Sequence, residues 1–146
     1  MRLKQLLGIV LLLLVLSCMA AAGEARLTNV SVASQGSGTS VTLHATGNFT
    51  HNEYRPSESL LLVDLKGVSA GNLNERARTL QVPGVKGYRV VGYKGAGGTD
   101  VTRVEFTLEP DAKVQVSPMA GGVVVNVTGA TMSASAVERS AWVLTK

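Results

Sequence analysis

Three short segments of this 146-residue chain recur, in the same order, about 60 residues further along. Residues 27–32 return at 85–90, residues 39–43 at 102–106, and residues 61–67 at 123–129. Each segment is rich in apolar residues, and most alternate them with polar ones, which indicates strands with a hydrophobic face that one copy cannot bury alone. Two copies can bury these faces against each other. We therefore predict an all-β fold, a β-sandwich of two related three-stranded sheets built from the internal repeat.

Turn residues divide each copy into strands. In the first copy, strands are predicted at residues 27–33, 41–46 and 60–65, with a short edge strand at 49–54 and a loop from 55 to 59 around Pro56. In the second copy they are predicted at 85–93, 101–108 and 123–127, with an edge strand at 113–116. Residues 68–80 are polar and mixed, so we expect them to connect the copies with at most one short helical turn.

The N-terminus has the pattern of an export signal. Arg2 and Lys4 precede an apolar core over residues 6–16, which is too short to span a bilayer comfortably. Small residues follow, so cleavage before Gly23 removes a signal peptide of residues 1–22, with cleavage after Ala25 a weaker option. We expect the folded domain to cover residues 25–129 and the Ser- and Ala-rich residues 130–146 to form a linker or tail.

The single cysteine leaves a second processing route open. Residues 15–18, Val-Leu-Ser-Cys, resemble a bacterial lipobox, in which Cys18 would be lipidated and become the first residue. The alternative is a cysteine that is discarded with the signal peptide. Either route leaves the folded domain without a disulfide, because no second cysteine exists.

Composition and motifs argue against several functions. The formal charge of +4 is small, and the basic residues are scattered among acids without a stripe of aromatics, so nucleic-acid binding is not expected. His44 and His51 fall on different predicted elements, which disfavours a zinc site. No Gly-x-Ser-x-Gly elbow is present, and the carboxylates suggest no catalytic pair. We predict a non-enzymatic protein without catalytic residues, cofactor or metal.

One polar set suggests a ligand surface. Arg89, Val91 and Tyr93 share a face of one predicted strand, and Arg103 and Glu105 share a face of the strand expected to pair with it. An exposed face with these groups could offer guanidinium forks and a tyrosine ring to an anionic or sugar-rich ligand. We therefore predict ligand binding at Arg89, Tyr93, Arg103 and Glu105. The alternative is an exposed sheet face stabilised by cross-strand Arg and Glu pairs.

The ordered series of these segments resembles an AMIN domain, the envelope module at the N-terminus of type IV pilus secretins and of N-acetylmuramoyl-L-alanine amidases. The resemblance rests on Leu-x-x-Val-x-Val at 27–32, Gly-Thr-Ser-Val-Thr-Leu at 38–43, Leu-Leu-Val-Asp-Leu at 61–65 with Gly67, Val-x-x-Tyr-Arg-Val at 85–90, and Thr-Arg-Val-Glu-Phe-Thr-Leu at 102–108. The family's recurrent arginines match Arg89 and Arg103. Its strand aspartate matches Asp64, which we expect to cap or order a loop.

The resemblance implies a β-sandwich in the periplasm that targets a partner through peptidoglycan binding. It predicts a non-catalytic cell-wall-binding module that localises an envelope machine, namely a type IV pilus secretin or its accessory. The alternative is a protein-interaction module that docks on a pilus or secretion subunit through an open sheet edge. The expected partners are peptidoglycan and secretin or pilus-assembly proteins, with contact to the outer membrane only through a lipid anchor. The chain could be a standalone adaptor or the front of a longer protein.

Overall fold

A computed structural model describes residues 23–129, which form nine β-strands and two short 3₁₀ turns. In chain order the elements are β1 (Leu27–Gln35), β2 (Gly38–Ala45), β3 (Thr50–Ser57), β4 (Leu60–Lys66), the turn Gly71–Leu73, β5 (Ala77–Val82), β6 (Val85–Lys94), the turn Ala96–Gly98, β7 (Asp100–Leu108), β8 (Lys113–Met119) and β9 (Gly122–Thr128). The predicted signal peptide, Cys18 and the tail from 130 to 146 lie outside the described residues. Between 23 and 129, no helix is long and apolar enough to span a membrane.

The strands form two antiparallel sheets that pack face to face, which confirms the predicted all-β sandwich. One sheet has four strands in the order β1-β2-β9-β8, and the other has five in the order β3-β4-β7-β6-β5. The number of strands per sheet differs from the three expected. Both short edge strands of the repeat pair as full hairpin arms, and β5 joins from the segment between the copies.

Each copy of the repeat contributes one hairpin to each sheet. The β1–β2 hairpin of the first copy lies in the four-stranded sheet, and its β3–β4 hairpin lies in the five-stranded sheet. The second copy does the reverse, because β6 and β7 join the five-stranded sheet whereas β8 and β9 join the four-stranded one. The chain changes sheets at residues 46–49 and again at 109–112. The copies therefore interleave, and neither forms a sheet of its own.

Two strand pairs hold the copies together, and the repeat makes them equivalent. In the four-stranded sheet Val41 of β2 lies opposite Val125 of β9, and in the five-stranded sheet Val104 of β7 lies opposite Val63 of β4. The repeat relates Val41 to Val104 and Val125 to Val63, so the two pairings have the same register. All four side chains are fully buried. The sandwich therefore has an internal pseudo-twofold arrangement.

The hydrophobic core lies between the two sheets and consists of the side chains that point inward from alternate positions of the strands. On β2 every second residue is buried and those between them are half-buried. On β7 the same alternation runs from Thr102 to Leu108, and Val101 is buried as well. Phe106 is the largest fully buried side chain, and its ring lies 6.4 Å from that of Tyr88, tilted by 51°. Burying such a side chain contributes about 1.5–3 kcal/mol. This alternation is the physical basis of the repeat seen in the sequence.

The strand β5 was not predicted. Residues 68–80 contain the expected short helical turn, Gly71–Leu73, but Ala77–Val82 then pairs with β6 as an edge strand. Most of its side chains are exposed, so no apolar pattern marks it. The hairpin turn at Pro83 and Gly84 brings it alongside β6. Gly84 has φ +80°, and a Cβ there would lie 2.7 Å from Val127, so this turn favours glycine.

The edge strand β3 is longer than expected. A loop was predicted for residues 55–59, but β3 continues to Ser57 and so includes Pro56. The ladder with β4 is irregular between Tyr54 and Ser57. A proline fits this position because an edge strand with a bulge does not need every backbone N–H for pairing. The prediction of an edge strand was thus confirmed, but its predicted end at residue 54 was wrong.

Candidate ligand-binding face

The outward face of the five-stranded sheet carries all four side chains that the sequence analysis selected. Arg89 and Tyr93 project from β6, and Arg103 and Glu105 project from β7, because the residues between them face the core. The antiparallel register places Arg89 opposite Glu105 and Val91 opposite Arg103. The predicted strand pair and its shared face are therefore present. We call this surface the charged face.

Asp64 of β4 organises the centre of the charged face. Its carboxylate lies opposite Arg103 and accepts two hydrogen bonds, from Nε at 2.7 Å and from Nη2 at 2.8 Å. The Tyr93 hydroxyl donates to the same carboxylate at 3.2 Å, and the Arg103 guanidinium lies 5.4 Å from the centre of the Tyr93 ring. The expectation that Asp64 caps or orders a loop was wrong, because it sits inside a central strand. These three side chains fix one another across three strands.

The electrostatics of this cluster follow from its geometry. The hydrogen bonds and positive charge of Arg103 lower the pKa of Asp64 below its ordinary 3.8, against the opposing effect of partial burial. Partial burial and the nearby Asp64 charge raise the pKa of Tyr93, so its hydroxyl stays protonated and can donate. The hydrogen bonds that Arg103 donates to Asp64 raise the pKa of Arg103. At neutral pH the cluster is an ion pair with a tyrosine donor beside it.

Arg89 and Glu105 face each other but form no ion pair. Arg89 instead donates from Nη2 to Glu75 Oε2 at 2.6 Å, and both side chains are more than half exposed. Glu75 lies in the segment between the copies, and this hydrogen bond raises the pKa of Arg89. Glu105 has no ion-pair or hydrogen-bond partner among residues 23–129. Its carboxylate and the remaining N–H groups of Arg89 are the polar groups available to a ligand.

A shallow groove of about 330 Å³ crosses the charged face beside Arg89. At its floor lies Gly87, where a Cβ would come within 2.7 Å of the carbonyl oxygen of Arg78. Arg78, Arg89 and Glu105 line the groove together with two threonines. It therefore presents both signs of charge and hydroxyl groups, which can hydrogen-bond to the hydroxyls, amides and carboxylates of a ligand.

Two tyrosine rings are exposed on this face. Tyr93 is 39% exposed, and Tyr54 of β3 is 67% exposed. Tyr54 lies opposite Leu62, which in turn lies opposite Glu105, so its side chain points to the same side of the sheet. Exposed aromatic rings with a hydroxyl at the edge can pack against a ligand and hydrogen-bond to it at once. Tyr54 was not among the predicted ligand-binding residues; the signal that could have pointed to it is an aromatic residue in the predicted edge strand.

The residues of the charged face come from both copies and from the segment between them. The four predicted residues all belong to the second copy, whereas Asp64 belongs to the first copy and Glu75 to the connecting segment. Asp64 could have been found from the sequence, since an aspartate within an apolar run needs a charged partner. Glu75 could not, because nothing in the sequence marks where the connecting segment folds back.

The outward face of the four-stranded sheet differs in chemistry. The repeat relates Arg103 to Ser40 and Asp64 to Asn126. Ser40 of β2 lies opposite Asn126 of β9. The central ion pair thus has an uncharged counterpart there. His44 lies in this sheet and His51 in the other. Among residues 23–129, no three His, Cys, Asp or Glu side chains lie close enough to hold a metal ion.

Comparison with protein-family models shows which family the chain belongs to. The model of the AMIN domain matches residues 29–131, which is more than half of the chain. The chain belongs to the AMIN domain family. Comparison with curated proteins finds no significant match. The match spans eight of the nine strands completely and most of β1, so both copies of the repeat fall within this AMIN domain.

AMIN domains are periplasmic or cell-envelope modules that target peptidoglycan, and they are not catalytic. Membership therefore supports a general role in cell-wall targeting for this chain. The geometry adds the surface on which such a role can be examined. The charged face has exposed tyrosine rings, a polar groove and the carboxylate of Glu105, which has no partner among residues 23–129.

The cluster makes a testable contribution to stability. Asp64→Asn should lower the free energy of unfolding at pH 7 by about 1–2 kcal/mol, because the pair is largely shielded and its hydrogen bonds are charge-assisted. The pKa of Asp64 is lowered in the folded state, so its contribution is present above about pH 4 and is lost as pH falls through the folded pKa. Urea unfolding of both proteins across pH 2–7, in steps of about one pH unit, measures the difference between their free energies of unfolding. This difference should shrink as the pH falls.

The matched control is Glu53→Gln. Glu53 lies on the exposed edge strand β3, and its carboxylate forms no ion pair within residues 23–129. Its replacement should change the free energy of unfolding by less than about 0.5 kcal/mol at every pH. An Asp64→Asn protein as stable as the original at pH 7, or equally destabilised at pH 2 and pH 7, would contradict the assignment.

Proposed function

We propose that this chain is a non-catalytic peptidoglycan-binding module of the periplasm that holds an envelope machine at the cell wall. The observation that carries the proposal is the AMIN family match over residues 29–131. The open charged face supports it, because a broad, rigid surface suits an extended polymer better than a closed pocket does. The groove beside Arg89 is open to solvent, which also favours binding to a large ligand.

We assign binding to the charged face rather than to the other outward face. Peptidoglycan combines sugar rings, amides and free carboxylates, and these need stacking surfaces, hydrogen-bond partners of both kinds and a positive charge. Tyr93 provides the ring, while Arg89 and Glu105 provide a donor and an acceptor with free capacity. Arg103 has a different part in this proposal. Asp64 accepts from two of its donors and balances its charge, so Arg103 mainly orients Tyr93.

A sacculus-binding measurement tests the assignment. Purified sacculi should retain the protein, and the triple variant Arg89→Gln/Glu105→Gln/Tyr93→Leu should bind at least about tenfold more weakly, since a loss of 1.4 kcal/mol corresponds to that factor. The variant removes one positive and one negative charge, so the net charge is unchanged. The bound fraction is read by co-sedimentation over a range of sacculus concentrations, and muramidase digestion should release the bound protein.

The control variant is Lys113→Gln/Glu53→Gln/Met119→Leu. It also removes one positive and one negative charge and replaces one exposed large side chain, but its residues lie on the two outer strands β8 and β3. It should bind sacculi like the original protein. Equal weakening of both variants would show general charge attraction, and unchanged binding of the charged-face variant would remove this site assignment while leaving the family role in place.

For the machine that the module localises, we propose a type IV pilus secretin or its accessory. The resemblance supports this choice, because AMIN modules occur at the N-terminus of such secretins. In a cell with type IV pili, crosslinking of whole envelopes should join the chain to the secretin, and muramidase treatment before crosslinking should weaken that product. A crosslink to a different envelope protein, unaffected by muramidase, would contradict the secretin assignment and favour direct docking on a protein partner.

A further inference from the structure

The four-stranded sheet lacks a strand equivalent to β5. The repeat relates β1 to β6, so Val32 corresponds to Val90. β6 lies between β7 and β5, and Val90 donates its backbone N–H to the carbonyl oxygen of Arg76, at 2.8 Å, just before β5 begins. β1 pairs with β2, and within residues 23–129 no strand lies along its other side. Val90 is fully buried, whereas Val32 is only partly buried.

The free side of β1 presents a regular row of backbone groups. β1 and β2 are joined by a two-residue turn, so Gln35 and Gly38 form the closing hydrogen-bonded pair. In an antiparallel ladder alternate residues bond to the neighbouring strand, which leaves those between them pointing away. The N–H and C=O groups of Val30, Val32 and Ser34 therefore point to the free side, as the equivalence of Val32 with Val90 also requires.

The other outer strands carry features that discourage pairing. β3 contains Pro56 and β8 contains Pro118, and a proline has no backbone N–H to offer to a further strand. β5 has only six residues and an irregular ladder with β6. β1 has nine residues without a proline or a charged side chain. At its start, Leu27 donates its backbone N–H to the carbonyl oxygen of Ser69, and the ladder with β2 is irregular between Leu27 and Asn29. From Val30 to Gln35, β1 is the outer strand of the described sandwich that remains open to a further strand.

We propose that β1 pairs antiparallel with β1 of a second copy of the chain, about a twofold axis at Val32, to give a continuous eight-stranded sheet. Such an interface is self-complementary, because each residue of one strand meets its symmetry equivalent on the other. Val32 lies opposite itself, Ser31 opposite Ala33, and Asn29 opposite Gln35. The pairing depends on the geometry of β1 alone and is independent of peptidoglycan binding.

The composition of β1 favours a second copy as the occupant. A twofold pair of charged strands would bring like charges together, but β1 has none. Its inward residues Val30 and Val32 would continue the apolar core across the axis, and Val32 would gain the cover that β5 gives to Val90. One strand pair of this length buries little surface, near the lower end for specific complexes at about 1,000 Å². The dimer should therefore be weak and concentration-dependent.

Association can be measured on a protein that begins at Gly23 and so retains every described strand. Sedimentation velocity should show a dimer whose fraction increases with protein concentration. The variant Ser31→Lys/Ala33→Lys should associate at least about tenfold more weakly because it places lysines opposite each other.

Hydrogen exchange should show slower exchange of the Val30, Val32 and Ser34 amides at high protein concentration. The amides of Ser31 and Ala33, which face β2, should be protected at all concentrations.

The control is Ser40→Lys/Thr42→Lys. These residues are the partners of Ala33 and Ser31 on β2, so the same charges lie on the same face one strand further from the axis. This variant should still form the dimer. The proposal fails if the original protein is monomeric throughout, or if Ser31→Lys/Ala33→Lys dimerises like the control. It also fails if the Val30 and Val32 amides are protected in the monomer and lose protection when residues 130–146 are removed, since the tail would then occupy the edge.

Discussion

The pairing of strands between the two copies is the constraint on which the rest of this sandwich depends. β2 of the first copy pairs with β9 of the second, and β7 of the second pairs with β4 of the first. These four strands form the centre of both sheets and carry the fully buried Val41, Val63, Val104 and Val125. Because each sheet draws its central pair from both copies, the core cannot form until both copies are present.

The same pairing creates the charged face. Asp64 meets Arg103 because β4 and β7 are neighbours, and Tyr93 then reaches this pair from β6. At the equivalent place in the other sheet the pair is Ser40 and Asn126. The two copies have therefore kept their inward residues similar and their outward residues different. One fold thereby presents a charged surface with exposed tyrosines on one side and a mostly uncharged surface on the other.

The sequence predicted those features that follow from local alternation. The strands of the two repeat copies, the face shared by Arg89 and Tyr93, and its pairing with the strand of Arg103 are present in the structure, although β3 ends later than predicted. The exchange of hairpins between sheets was not predicted, because an apolar face indicates burial without saying which strand covers it. Strand β5 was not predicted for a related reason. Its exposed side chains carry no pattern, and backbone pairing with β6 and the Pro83 turn hold it in place. The pairing of Arg89 with Glu75, rather than Glu105, depends on that same connecting segment.

Splitting the chain between the copies tests the interleaved arrangement most directly. A cut between Asn74 and Glu75, both exposed, separates residues 23–74 from residues 75–146 and breaks no strand. The first half retains two hairpins that belong to different sheets, and the second retains the three strands β5 to β7 of one sheet and the β8–β9 hairpin of the other. Each half should therefore be unfolded alone, and an equimolar mixture should regain β-sheet circular dichroism and a cooperative unfolding transition. A half that unfolds cooperatively by itself would contradict the account, because one copy would then have buried its hydrophobic face without the other.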